Sequence, residues 1–181
     1  GLLSKGIALG HKTGFDSGST LDYVYRNEAR GLPLVGTAID RTYLDSPGWR
    51  GIRQRKLHVE ELLREAMRRV AATGQPVRVT DIAAGHGRYV LDAVLGSEIK
   101  PQAVVLRDYS DINVRDGRAL IEAKGLQGVA RFDQADAFDR DSLAAIEPKP
   151  TVGVVSGLYE LFENNPMVGR SLAGLAEAIP V

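Results

Sequence analysis

The stretch Val77-Arg78-Val79-Thr80-Asp81-Ile82-Ala83-Ala84-Gly85-His86-Gly87-Arg88-Tyr89 decides the fold. A short β-rich run, Val77–Ile82, passes directly into small residues, and Val90, Leu91, Val94 and Leu95 then recur at helical spacing. Strand, glycine turn and helix in immediate succession form the first half of a strand–helix–strand unit. Small residues at 83, 85 and 87 let a ligand approach the backbone closely, which larger side chains would prevent. The helix beyond offers unsatisfied N–H groups to a carboxylate or phosphate.

Downstream the same alternation repeats. Ala103–Leu106 reads as a second strand with a helix from about Asp111 to Lys124. Val129–Gln134 reads as a third, followed by a short helix over Asp141–Ile146. Thr151–Ser156 reads as a fourth, followed by a helix from about Pro166 to Ala178. Mostly apolar strands separated by helices describe a parallel sheet covered on both faces. With right-handed crossovers this is a Rossmann-like, doubly wound α/β fold. Only four strands are read before Ile179-Pro180-Val181, so the sheet is expected to be incomplete at the C-terminus, with later strands missing.

Upstream the chain changes character. Residues 1–72 carry 12 basic and 8 acidic side chains, and residues 73–181 carry 11 and 15. The break falls at Thr73-Gly74-Gln75-Pro76, a helix stop followed by a strand start. Residues 1–74 are therefore read as an N-terminal helical extension, or cap, and 75–181 as a Rossmann-like domain. Ser19 or Thr20 is expected to cap a helix through Leu21, Val24 and Tyr25. Leu34–Leu44 would place Val35, Ala38 and Ile39 on one side. A longer helix, Ile52–Ala72, carries a stripe of Val59, Leu62, Leu63, Ala66 and Val70. The segment Arg50–Lys56 holds four basic residues and no acid. A solvated helix start is the plain reading; an anionic acceptor or an RNA backbone is the alternative.

Composition narrows the classes of function. The 181 residues balance 23 basic against 23 acidic side chains, and 44% are hydrophobic, which predicts a buried core and argues against a histone-like or membrane-coating role. Without cysteine there is no disulfide framework, thiolate metal site or thiol nucleophile, and no metal ligand set is expected. No apolar run approaches the roughly 20 residues that span a bilayer. The start Gly1-Leu2-Leu3-Ser4-Lys5 has no signal-peptide pattern, and Gly1 reads as an internal start or an expression scar. A cytoplasmic enzyme or binding domain is the expected class.

In a doubly wound sheet, ligands sit outside the carboxyl ends of the strands. The glycine turn is not the dinucleotide fingerprint, because Val90 stands where the third glycine would be. That disfavours a nicotinamide-dependent oxidoreductase. The second strand ends Arg107-Asp108-Tyr109-Ser110, placing a carboxylate 23 residues after Gly85, near the spacing of a ribose acceptor. The third ends Gln134-Ala135-Asp136-Ala137-Phe138. Each acid alone could be a helix cap. Three consecutive strand ends bearing Gly-x-Gly, Asp and Asp are harder to explain as capping.

On these residues, positions of about 75–178 resemble the cofactor half of a class I S-adenosylmethionine-dependent methyltransferase. Asp81–Gly87 resembles its first motif, with Ala83 replacing the first glycine. Arg107–Ser110 resembles the second, Gln134–Ala137 the third and Val154–Leu161 the fourth. The stretches Gly14–Asn27 and Tyr43–Lys56 further resemble a little-characterised group of bacterial methyltransferases, some joined to an α/β-hydrolase domain.

The resemblance implies S-adenosyl-L-methionine as cofactor. Asp81, Ala83, Gly85 and Gly87 would hold its methionyl part, with Asp81 meeting the ammonium directly or through water. Asp108 would accept from the ribose hydroxyls, with Tyr109 beside the adenine. Asp136 would accept from the adenine amino group, Ala137 would donate from its backbone, and Phe138 would help enclose the base. Ser156 and Gly157 would line the passage to the methyl group. The acceptor is expected to be a small molecule or lipid-like compound, with nucleic acid disfavoured. Tyr159 and Glu160 are the nearest candidates for a base, a packed aromatic and a solvated acid being the equal alternatives. His86 reads as a loop or cofactor-side residue rather than a base. The competing reading is a catalytically inactive scaffold with the same fold.

Overall fold

The computed structural model describes residues 3–179. Gly1, read as a start or scar, and the Pro180-Val181 end lie outside the described residues. The chain divides into two compact units, Gly1–Val59 and Glu60–Val181.

The first unit holds α1 (Lys5–Thr13), α2 (Gly18–Arg26), α3 (Val35–Leu44) and the start of α4 (Pro47–Ala72). Helix α2 is capped by Ser17, whose side chain accepts from the Thr20 N–H, and not by Ser19 or Thr20. Those two residues are buried within the helix instead. Helix α4 begins at Pro47, earlier than its apolar period suggests, because proline suits the first helical turn, where its missing N–H costs nothing. The basic segment therefore lies inside the first turns of α4, where Arg53 donates to the Leu44 carbonyl at 2.8 Å.

The core of this unit is Tyr23, Val24 and Leu44, with Trp49 packed edge-on to Tyr43 at 5.6 Å between ring centroids. Its polar centre is Asp40, fully buried. That carboxylate accepts from Ser4 Oγ at 2.5 Å, Gly6 N–H at 2.7 Å, Arg30 N–H at 2.8 Å and the Tyr23 hydroxyl. These donors explain why α3 buries Gly36, Asp40 and Leu44 while Val35 is exposed, contrary to the apolar side expected. Hydrogen bonding has overridden hydrophobic pattern.

The second unit contains the rest of α4 and the Rossmann-like domain. The buried side of α4 here is Glu60, Leu63 and Met67; Leu62 is exposed, so the stripe is rotated from the one expected. Strands β1 (Arg78–Asp81), β2 (Ala103–Asp108), β3 (Ala130–Gln134) and β4 (Val152–Val154) form one parallel sheet in the order β3-β2-β1-β4. Helices α5 (Arg88–Leu95), α6 (Asp111–Ala123), α7 (Arg140–Ala144) and α8 (Asn165–Ala178) alternate with the strands. β4 is shorter than expected because its ladder runs only against the last three residues of β1.

Alternation along the strands sends neighbouring side chains to opposite faces. Leu106 and its register partner Phe132 face α5 and α6: a Cβ at Gly87 would lie 2.4 Å from Leu106, and one at Gly117 only 2.2 Å from Phe132. Val105 and Ile82 instead pack with Leu143, Ile146 and Leu175 of the α7–α8 side. Arg107, on that same face, is buried and donates to the Ser142 carbonyl at 3.1 Å and to Ser142 Oγ at 2.5 Å. The sheet is thus wound on both faces. The order reverses between β1 and β4, and that switch point fixes where a ligand crevice belongs.

Candidate functional site

Because the strands are parallel, their carboxyl ends bring Asp136, Asp108, the 83–87 loop and Ser156 side by side in the order β3-β2-β1-β4. The glycine loop is built from beneath. Gly85 and Gly87 both adopt positive φ, +58° and +73°, which a side chain would strain. Ala84 N–H donates to the Arg107 carbonyl at 2.9 Å, sewing the loop to β2.

Asp108 joins the two motifs directly. Its Oδ2 accepts from the Gly85 N–H at 2.9 Å, across 23 residues of sequence. Its Oδ1 accepts from Ser110 N–H at 2.9 Å and from Asn113 Nδ2 at 3.0 Å. A carboxylate offers about four acceptor positions, so one on Oδ2 is left for a further donor. Asn113 was not legible as a site residue; the only signal was a polar side chain on the inner side of α6. Tyr109, next to Asp108, is 80% exposed.

Asp81 lies deeper. It has no exposed surface, and its carboxyl accepts from Tyr89 Oη at 2.5 Å and from Ala83 N–H at 3.3 Å. Burial pushes its pKa up to about 7, assisted by the Asp108 charge and opposed by those two donors. Its side chain is turned to Tyr89 and the loop backbone, and any reach to a ligand passes through that shell.

Helix α5 begins above this carboxyl with Gly87 as its N-cap and no side-chain cap. By contrast α6, α7 and α8 are capped by Ser110, Asp139 and Asn164.

At the end of β3, Asp136 is exposed and its Oδ1 accepts from the Phe138 N–H at 2.8 Å. Ala137 is buried, and its carbonyl accepts from Ser171 Oγ of α8 at 2.5 Å. Phe138 meets Phe162 edge-on at 4.8 Å and Tyr159 at 6.4 Å. Tyr159 opens a short 3-10 turn, Tyr159–Leu161, and its hydroxyl lies 2.9 Å from Ser171 Oγ. Ser156 is half-buried, and Gly157 has φ +78°. Glu160 is exposed. His86 Nε2 lies 3.8 Å from Asp116 Oδ2, facing α6. Ser171 was also missed; a serine on the inner side of α8 was its only signal.

A groove of about 420 Å³ opens elsewhere, between the end of α6 and the start of β3. Its guanidinium groups are already spent, Arg118 on the Phe132 carbonyl and Arg131 on Asp133. It lies away from the strand carboxyl ends.

A sequence profile of the family described as "Putative methyltransferase" matches residues 1–181. An uncharacterized protein of Escherichia coli (strain K12), YnbC, is 54% identical over 179 residues. That match takes in 99% of this chain and 30% of the relative, so the chain spans under a third of the length of the curated protein it resembles. Among solved structures, a possible exported protein from Bordetella parapertussis aligns with a TM-score of 0.70 at 14% identity, over 90% of this chain and 50% of that one. WbdD, solved with the kinase inhibitor LY294002, aligns with a TM-score of 0.53 at 23% identity, over 75% of this chain and 31% of that one. At these identities the structural likeness speaks for the fold alone.

Proposed function

Since this chain belongs to the family described as "Putative methyltransferase", we propose that it binds S-adenosyl-L-methionine and directs methyl transfer to a small-molecule or lipid-like acceptor. The observation that carries the reading is the bond from the Gly85 N–H to Asp108 Oδ2, which sets a carboxylate from β2 against the glycine loop of β1.

The donor set fits the cofactor. In this reading residues 1–74 are the helical extension and 75–181 the cofactor-binding domain. The start of α5, with Gly85 and Gly87, receives the methionyl carboxylate. Ala83 keeps the loop narrow, and Asp81 supports it from below, meeting the ammonium through an intervening water. Asp108 accepts from a ribose hydroxyl through its remaining acceptor position, with Tyr109 covering the adenine. Asp136 accepts from the adenine amino group, and the Ala137 N–H donates to the ring. Phe138 closes over the base, and Ser156 and Gly157 line the way to the acceptor. A fused α/β-hydrolase domain, which the resemblance implies for some members, is part of this proposal.

The cofactor supplies a methyl group on a positively charged sulfur, which is already a good leaving group. The protein's contribution is then alignment and exclusion of water. Tyr159 does not serve as a base here. Ser171 has one hydroxyl proton, and it goes to the Ala137 carbonyl, so Tyr159 must donate to Ser171. Its phenol is committed to holding structure.

Isothermal titration calorimetry with S-adenosylmethionine and S-adenosylhomocysteine tests the proposal. Micromolar binding is expected. No detectable heat at millimolar ligand, in folded protein, would overturn it.

A further inference from the structure

A chain of three hydrogen bonds leads from the 3-10 turn after β4 to Asp136. The Tyr159 hydroxyl donates to Ser171 Oγ at 2.9 Å, and Ser171 Oγ donates to the Ala137 carbonyl at 2.5 Å. That carbonyl and the Phe138 N–H belong to one planar peptide unit. The Phe138 N–H in turn donates to Asp136 Oδ1 at 2.8 Å. Each hydroxyl has a single proton, so the direction of the chain is fixed, and each bond polarises the next.

The two ends of this chain differ in freedom. Ser171 has no exposed surface and sits on α8, a 14-residue helix packed against α7. Asp136 lies on an exposed loop, where a carboxylate ordinarily samples several rotamers. Held through the 137–138 peptide, its Oδ1 is occupied and its Oδ2 is left for another donor. No other hydrogen bond to this carboxylate occurs among the described residues.

We propose that Ser171 is a positioning residue for nucleobase selection: by fixing the 137–138 peptide it orients Asp136 to accept from an exocyclic amino group. The inference rests on the cofactor reading above. It adds that preference for an adenine base over a hypoxanthine base is set from α8. Hypoxanthine presents a carbonyl where adenine has its amino group, so a fixed carboxylate repels it. A carboxylate free to turn away discriminates less.

The test measures affinity for S-adenosylhomocysteine and S-inosylhomocysteine by calorimetry, with thermal unfolding of each variant followed alongside. The unaltered protein is expected to prefer the adenosyl ligand by roughly tenfold or more, the scale of a hydrogen bond to a charged group. Ser171→Ala should reduce that preference to about threefold or less, mainly by weakening the adenosyl ligand. Tyr159→Phe leaves the Ser171–Ala137 bond in place and should keep the preference within about twofold of the unaltered value. If Ser171→Ala does not fold, Ser171→Cys replaces it: its weaker donor should still lower the preference at least about twofold.

An unchanged preference in a folded Ser171 variant overturns this inference and leaves the cofactor reading standing. A fall in melting temperature with unchanged preference does the same, marking Ser171 as merely structural. Absence of S-adenosylhomocysteine binding by the unaltered protein overturns both.

Discussion

The phenolic oxygen of Tyr89 lies 2.5 Å from Oδ2 of Asp81, inside the domain and directly under the glycine loop. This buried pair gives the fold a pH dependence with a definite sign. Below the ordinary value of 3.8 Asp81 is protonated whether the chain is folded or not. Between 3.8 and about 7 the unfolded chain has released the proton and the folded chain retains it. Stability therefore falls as pH rises through that window, and above about 7 the loss is complete. The effect is on the order of 2–4 kcal/mol, and Asp81→Asn should remove it, because Asn still accepts from Tyr89. Urea unfolding at pH 5, 6.5 and 8 checks this; equal slopes for both proteins would refute it.

The Asp40 centre of the helical unit responds in the opposite sense. Burial alone would raise its pKa, but donors from Ser4, Tyr23, Arg30 and Gly6 outweigh burial and lower it. Its contribution is present above the ordinary carboxyl value and is lost as pH falls through the lowered one. Asp40→Ala leaves those buried donors unpaired and should cost about 3 kcal/mol or more. Loss of helical circular dichroism on acid titration, shifted to higher pH in the variant, is the expected record.

Replacing Asp108 by Ala should weaken S-adenosylhomocysteine binding at least about tenfold, because bonds to a charged acceptor are worth roughly 1.5–3 kcal/mol. Asn113→Ala removes one donor to Oδ1 and should cost only a few-fold. If the two variants bind equally well, the assignment of Asp108 to the ribose fails.

Gly87→Ala combines a strained positive φ with a Cβ 2.4 Å from the buried Leu106 side chain. A destabilisation of roughly 2–4 kcal/mol is expected, as overpacking and left-handed strain add. Gly74→Ala, also at positive φ but with open space around it, should cost only about 1–2 kcal/mol. Thermal melts of the pair separate packing from backbone strain; equal losses would contradict the packing argument.

The parallel sheet was legible because buried strands are written as short apolar runs and the Gly85-His86-Gly87 turn has few other uses. The strand ends followed from it, since topology alone aligns residues 85, 108 and 136. What escaped were contacts made by single polar atoms. Asp40 reversed the expected face of α3 because its hydrogen bonds come from residues up to 36 positions away. Ser17 displaced Ser19 and Thr20 as the cap of α2, since three neighbouring hydroxyls look equivalent until the backbone turns. Ser171 could not be told from an ordinary small helix residue until α8 was seen against Ala137. Helix α1, with glycines at 6 and 10, offers no continuous apolar period, because those glycines admit Tyr23, Tyr43 and Phe15 side chains in place of their own.

Trp49 is the sole tryptophan of the sequence, and it packs on Tyr43 in the Gly1–Val59 unit. Tyr89, Tyr109 and Tyr159 all belong to the other unit. Indole emission consequently watches the Gly1–Val59 unit, and backbone dichroism of the β-sheet the other. Two optical channels can then time melting on each side of residue 59 without any dye, label or engineered fluorophore.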